Sequence, residues 1–247
     1  MSRVSTVILA LLLCVVSTPL MAQTATTQDL IQPNRATPSV SNNSISGFAS
    51  DFLHDQKDIW TSPLHINRGQ VEWLAPVGVG AAALFATDHQ ISNAARSDTA
   101  LRTPSNTISS IGNVAPYAVP GAMWFVGAIS RNDHAAEAGR LGAEAELDTA
   151  GVVEVLKFVT NRQRPNMSNA RSFPSGHAAS AFALAAVMSS EYHNKPLVVV
   201  GSYGFATAVG LARVGGLNHF PSDVLVGAVI GELIGRYVVH HHTHMAQ

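Results

Sequence analysis

The chain has 247 residues, 47% of them apolar and only 13% charged, with 16 acidic and 15 basic side chains and a formal net charge of −1. Near-balanced charge without a basic block argues against a nucleic-acid partner, whereas so low a charged fraction brings a membrane into consideration. The single cysteine, Cys14, lies in the apolar N-terminal run, so disulfides, thiolate catalysis and cysteine-ligated metals are excluded from a mature chain that lacks this run.

Met1–Ala22 reads as a secretory signal: Arg3 near the start, an apolar stretch over Val7–Val16, then Ser17 to Ala22 before the polar Gln23. This predicts an exported protein, periplasmic or secreted, with an uncleaved anchor as the alternative. Residues 23–44 are rich in Thr, Gln, Asn, Ser and Pro and read as a flexible leader. Ile45–Trp60 then places Phe48, Phe52, Leu53, Ile59 and Trp60 at helical spacing, which predicts a helix packed on the domain or lying on a membrane surface.

Six further helical stretches follow, at about Val71–Thr87, Val114–Ser130, Ala135–Thr160, Gly176–Tyr192, Pro196–Arg213 and Pro221–His240. A polar connection, Asp88–Asn113, separates the first two, and Pro116 and Pro120 predict an irregularity near the start of the second. Strand signals are confined to Val198-Val199-Val200, inside a long apolar run. The expected fold is therefore all-α, a six-helix core bundle with an N-terminal arm. Its domain covers residues 45–240, and the motif-bearing core covers 135–240. Gly227, Gly231 and Gly235 give the last helix a smooth face for close approach of a neighbour. The tail, residues 241–247, carries histidines that could ligate a transition metal, but it reads as a solvated terminus and receives no role.

Three patterns carry chemistry. Lys157 stands at a helix end seven residues before Arg164-Pro165; Pro174-Ser175-Gly176-His177 opens an apolar helix; and Arg213 is followed by His219 and Asp223. Taken singly, each has an ordinary reading as a solvated helix end, a capped helix start and a turn. In this order they form Lys-x6-Arg-Pro, Pro-Ser-Gly-His and Arg-x5-His-x3-Asp, and the sequence resembles the phosphatidic acid phosphatase type 2 superfamily, which includes class A acid phosphatases and vanadium haloperoxidases. One position departs: Ala212 stands where the superfamily usually has Ser.

The residue types suit a phosphoryl group, whose equatorial oxygens need cations and N–H donors. Lys157, Arg164 and Arg213 supply charge, while Ser175, Gly176 and the His177 backbone supply donors at a helix N-terminus. The resemblance implies that His219 attacks phosphorus to form a phosphohistidine and that His177 protonates the leaving oxygen. Asp223, four residues beyond His219, is expected to reach the other ring nitrogen and fix its tautomer.

No metal site or cofactor is expected at this pocket. The implied substrates are phosphomonoesters or lipid and isoprenoid phosphates; the alternative is a haloperoxidase holding vanadate on His219. Glu72, the stretch Pro196–Ala212 of only about 17 residues, and the charges Glu137, Arg140, Glu144, Glu146, Asp148 and Glu154 count against a bundle of membrane-spanning helices. The expectation is a folded periplasmic or secreted domain, with a membrane-associated or integral protein as the alternative.

Overall fold

The computed structural model describes residues 45–62 and 68–244. The signal and leader segments predicted over 1–44 lie outside them. The helices are α1 (Ile45–Thr61), α2 (Arg68–Ser97), α3 (Arg102–Ser130), α4 (Asp133–Thr160), α5 (Gly176–Glu191), α6 (Pro196–Gly215) and α7 (Pro221–His244), with a 3-10 turn at Thr99–Leu101. No strand occurs among the described residues, and α2 to α7 form the six-helix bundle with α1 laid against α4.

Helix α5 is the axis. Ala178 through Val187 are all buried, and a helix that is apolar on every side belongs inside a bundle. Its neighbour α7 comes close enough for backbones to touch. A Cβ at Gly227 would lie 2.4 Å from the Ser175 carbonyl oxygen, one at Gly231 1.9 Å from that of Ala179, and one at Gly235 2.6 Å from that of Ala183. The glycine stripe is thus a seam against α5, and any larger residue there must push the two helices apart.

The polar stretch Asp88–Asn113 is not a connection. Helix α2 runs on through Ser97 and α3 begins at Arg102, because the polar groups in this segment have inward work: Asp88, Ser92, Ser105 and Ser109 are buried. Pro116 and Pro120 sit inside a continuous α3. Proline removes a helix hydrogen bond, but here both rings are buried at the seam with the bundle, and Pro120 packs on Gly142 of α4.

Helix α3 is inside out. Its buried positions are Ser105, Ser109, Gly112, Pro116, Pro120 and Gly127, all small or polar, whereas Ile111, Val114, Trp124, Phe125 and Ile129 face outward. Helix α4 shows the complement: Glu144, Glu146 and Asp148 are buried, with Arg140 paired to Glu137 at 2.7 Å and also to Glu144. Three of the charges that weighed against a membrane, Glu144, Glu146 and Asp148, are therefore turned into the bundle, whereas Glu72 and Glu154 stay exposed. Among the described residues one helix, Pro196–Gly215, is long and apolar enough to cross a membrane.

The tail also differs from a frayed terminus as far as His244. Helix α7 continues to that residue, and the buried His242 lies 2.8 Å from the Asp55 carboxylate of α1.

Candidate active site

Four helix ends and two loops meet at one end of the bundle. Helix α4 stops at Asn161, a left-handed C-cap (φ 45°) whose N–H bonds the Lys157 carbonyl at 3.1 Å. The following loop is tied to the α6–α7 loop by the Asn166 N–H on the Leu217 carbonyl, 3.1 Å. Helices α5 and α7 then start side by side, the Ser175 N–H donating to the Asp223 carbonyl at 2.9 Å. These ties bring Lys157, Arg164, Gly176, His177, Arg213 and His219 together, close enough that the cations depress one another and both imidazoles.

His219 is fully buried, and its Nδ1 lies 2.6 Å from the Ser172 carbonyl oxygen. A carbonyl can only accept, so Nδ1 carries the proton and Nε2 presents a lone pair. The expected direct bond from Asp223 is replaced by this one: Asp223 Oδ2 is 3.8 Å from Nδ1. Asp223 instead accepts the Ser172 hydroxyl at 2.5 Å and the Phe220 N–H at 2.8 Å. It positions the residues before and around the imidazole. Burial lowers His219 to about 4, against the opposing pull of Asp223 and with Arg213 adding to the depression.

Burial, with Arg213, His219, Lys157 and Arg164 behind it, drives His177 down to about 3. Arg213 is pushed down to about 10 by burial and by Arg164. Among the described residues neither the Arg164 nor the Arg213 guanidinium has a hydrogen-bond or ion-pair partner, and the Nε of each is buried and unsatisfied. Lys157 reaches only Glu154, 3.1 Å away and half exposed. A cluster of buried cations without anions is costly unless something negative completes it.

Gly176 keeps this cluster tight against the backbone: a Cβ there would sit 3.1 Å from Lys157 Nζ. Ser175 keeps the capping task expected at a helix start but not the donor task. Its N–H is spent on Asp223 and its hydroxyl caps α5 by accepting the Ala178 N–H at 3.4 Å, so Gly176 and His177 offer the first free helix donors. Ala212 is buried, and its carbonyl accepts the Gly216 N–H at 2.9 Å, closing α6 without a hydroxyl.

The sequence reading missed Arg162. One guanidinium nitrogen donates to Asp223 Oδ1 at 2.6 Å and Ser222 Oγ at 2.8 Å, and the other to Asp88 Oδ2 at 2.6 Å. Its carbon stands 4.2 Å from the Phe85 ring centroid and 4.3 Å from that of Phe220. Asp88, on α2, also accepts the Ser222 N–H at 3.0 Å and bonds the Ser222 hydroxyl. Ser172 was missed too. Neither has a local sequence signal, since their partners at the site lie 47 to 74 residues away.

Among the described residues, one group has metal-ligand proximity: Asp51, Glu144 and His242. Glu144 is about 20 Å along α4 from Lys157 by the helical rise, so this group is not part of the site.

Residues 145–244 match the family model described as the PAP2 superfamily. An 86-residue stretch is 41% identical to the lipid A 1-phosphatase of Porphyromonas gingivalis, covering 34% of this chain and 19% of that protein, so the match spans about a fifth of the relative's length. The fold is similar to the crystal structure of LpxE from Aquifex aeolicus (26% identity, TM-score 0.50, 63% of this chain and 94% of that one). It is also similar to a transmembrane PAP2-type phosphatidylglycerolphosphate phosphatase of Bacillus subtilis (22% identity, TM-score 0.54, 81% and 96% covered), a likeness of fold alone.

Proposed function

Over its motif-bearing residues the chain belongs to the PAP2 superfamily, and from that premise we propose that it is a lipid phosphatase that hydrolyses phosphomonoesters or diphosphates through a phosphohistidine on His219. The observation that carries the reading is the unpaired Arg164 and Arg213 beside a buried imidazole whose Nε2 is free. The named relatives, a lipid A 1-phosphatase and LpxE, favour phosphate ester hydrolysis over halide oxidation.

In this mechanism Lys157, Arg164, Arg213 and the N–H groups of Gly176 and His177 surround the equatorial phosphoryl oxygens. His219, neutral above about pH 4, attacks in line through Nε2. The N–P bond forms as the P–O bond to the leaving group breaks, and His177 gives its proton to that oxygen. His177 is neutral in the free protein. A bound phosphoryl dianion offsets the surrounding cations and restores its affinity for the proton it must donate. Water then attacks phosphorus, with His177 taking its proton, and phosphate leaves. The cations do the electrostatic work assigned to Mg²⁺ in other phosphoryl-transfer sites, so the reaction is metal-independent.

The same reading makes the protein membrane-associated, with the outer face of α3 against lipid. Small residues toward the bundle and Trp124, Phe125 and Ile129 outward is the reverse of a water-facing helix. Export across the cytoplasmic membrane, from the signal-like Met1–Ala22, completes the proposal.

The test is a substrate panel in EDTA running from p-nitrophenyl phosphate to phosphatidate and undecaprenyl diphosphate, on wild type and His219→Ala. Turnover inhibited by vanadate and abolished in His219→Ala is expected. Halide oxidation dependent on added vanadate, without ester hydrolysis, would establish the haloperoxidase instead. Carbonate extraction tests the location: release into the soluble fraction would remove the membrane reading.

A further inference from the structure

Next to the phosphate-binding cations a cavity of about 170 Å³ descends between α3, α4 and α5. Lys157, Gly176 and His177 form its mouth, Asn113 and Tyr117 its α3 wall, and Thr149 and Ser180 line it on α4 and α5. His177 is among the lining residues, and under the phosphatase reading it protonates the leaving oxygen, so that reading puts the cavity on the leaving-group side.

The interior is not what an apolar chain would need. Thr149 is 1% exposed and its Oγ1 has no hydrogen-bond partner. One turn before it on α4, Glu146 is 2% exposed. Its polar neighbour is Ser180 across the α4–α5 seam, and burial pushes its carboxyl well above the usual range, against the opposing pull of Ser180. Buried polar groups in folded proteins are almost always satisfied, so an orphan hydroxyl on the wall of a cavity marks where hydrogen-bonding matter belongs. Ordered water is one way to fill that need. A ligand group replaces it only if it brings its own polar atoms.

We infer that this cavity is a leaving-group subsite that selects phosphate esters whose alcohol carries a hydroxyl near the ester bond, with Thr149 as the residue that reads that hydroxyl and Ser180 and Glu146 as the polar floor beneath it. The inference rests on the phosphatase reading above. A glycerol- or sugar-type leaving group fits; a plain alkyl or polyprenyl alcohol leaves Thr149 Oγ1 unpaired and displaces the water that served it. A site built to bond a hydroxyl discriminates strongly against the analogue lacking it.

The experiment compares kcat/KM for lysophosphatidate and for an alkyl phosphate of matched chain length in the same detergent, with p-nitrophenyl phosphate alongside. Wild type is expected to prefer lysophosphatidate by roughly 10- to 100-fold. Thr149→Val, of the same shape without the hydroxyl, reduces that ratio at least tenfold, by loss on the hydroxylated ester. Thr149→Ser, which keeps the hydroxyl, retains it. Equal kcat/KM for the two lipids in wild type, or an equal loss on both in Thr149→Val, overturns the subsite while p-nitrophenyl phosphate turnover keeps the phosphatase reading intact. No turnover of any of the three esters overturns both.

Discussion

Arg162 and Arg164 stand two residues apart in one loop and live in opposite electrostatic worlds. Arg162 is enclosed by Asp88, Asp223 and Ser222 and faced by two aromatic rings. Arg164, with Arg213, makes no ion pair among the described residues and has a buried, unsatisfied Nε, the Asp223 charge reaching Arg164 only from a distance. The first is a clamp: it ties α2 and the start of α7 to the α4–α5 loop, with three of its five N–H donors spent on the fold. The second is a half-made interaction whose other half is an anion. Completed and uncompleted ion pairs in the same loop separate holding the site from operating it.

The sharpest way to break this contrast is to remove one arginine of each kind. Arg162→Met leaves Asp88 and Asp223 buried without their cation and is expected to lower unfolding stability by about 3–5 kcal/mol, read by urea titration. Arg213→Met removes a charge that only its ligand wants. It should leave stability unchanged or slightly raised while kcat/KM falls about 10²–10³-fold. Equal loss of stability in both variants would erase the distinction.

Anion binding sharpens it from the other side. Orthophosphate or vanadate at 100 times its Kd should stabilise the wild type by about 2.7 kcal/mol, seen as a rise in Tm, and this gain should vanish in Arg213→Met. Asp223→Asn tests the supporting role. Because the Ser172 carbonyl, not Asp223, is bonded to His219 Nδ1, turnover should fall only about 10- to 100-fold, less than in His219→Ala.

The last test is in pH. His177 and His219 are held below the ordinary imidazole value, at about 3 and about 4. The unfolded chain therefore takes up protons first as pH falls through about 6.5. Stability from keeping these rings neutral is complete above that value and is lost progressively toward pH 4 and below. Thermal melts from pH 7 to 4 should show this decline, and added phosphate, which favours the protonated rings, should flatten it.

The pocket's own residues were legible because they fall in short motifs: Lys157 with Arg164, Gly176 with His177, and Arg213 with His219 and Asp223. What could not be read is what joins segments distant in the chain. Asp88 is 74 residues from Arg162, and a polar run containing it looks like a loop until its carboxylate is seen to be buried. Ser175 shows the same limit at short range: its place in the motif suggests a phosphate donor, whereas the α5–α7 contact claims its N–H. Helix α3 adds another limit, since its apolar residues mark the outer surface and its small ones mark the seam. Hydrophobic periodicity finds a helix; it does not say which side faces the protein.

Gly227 gives the α5–α7 seam a further meaning. It rests on the Ser175 carbonyl at the point where α5 begins, one turn beyond Asp223 on α7. The separation between the half of the site that starts with Gly176 and His177 and the half that ends with His219 and Asp223 is therefore set by backbone against backbone, with no side chain between to repack or change rotamer. Substitutions elsewhere in the core can be absorbed by neighbouring side chains, but one methyl group at residue 227 acts directly on the spacing of the two histidines, as a shim does between two machined faces.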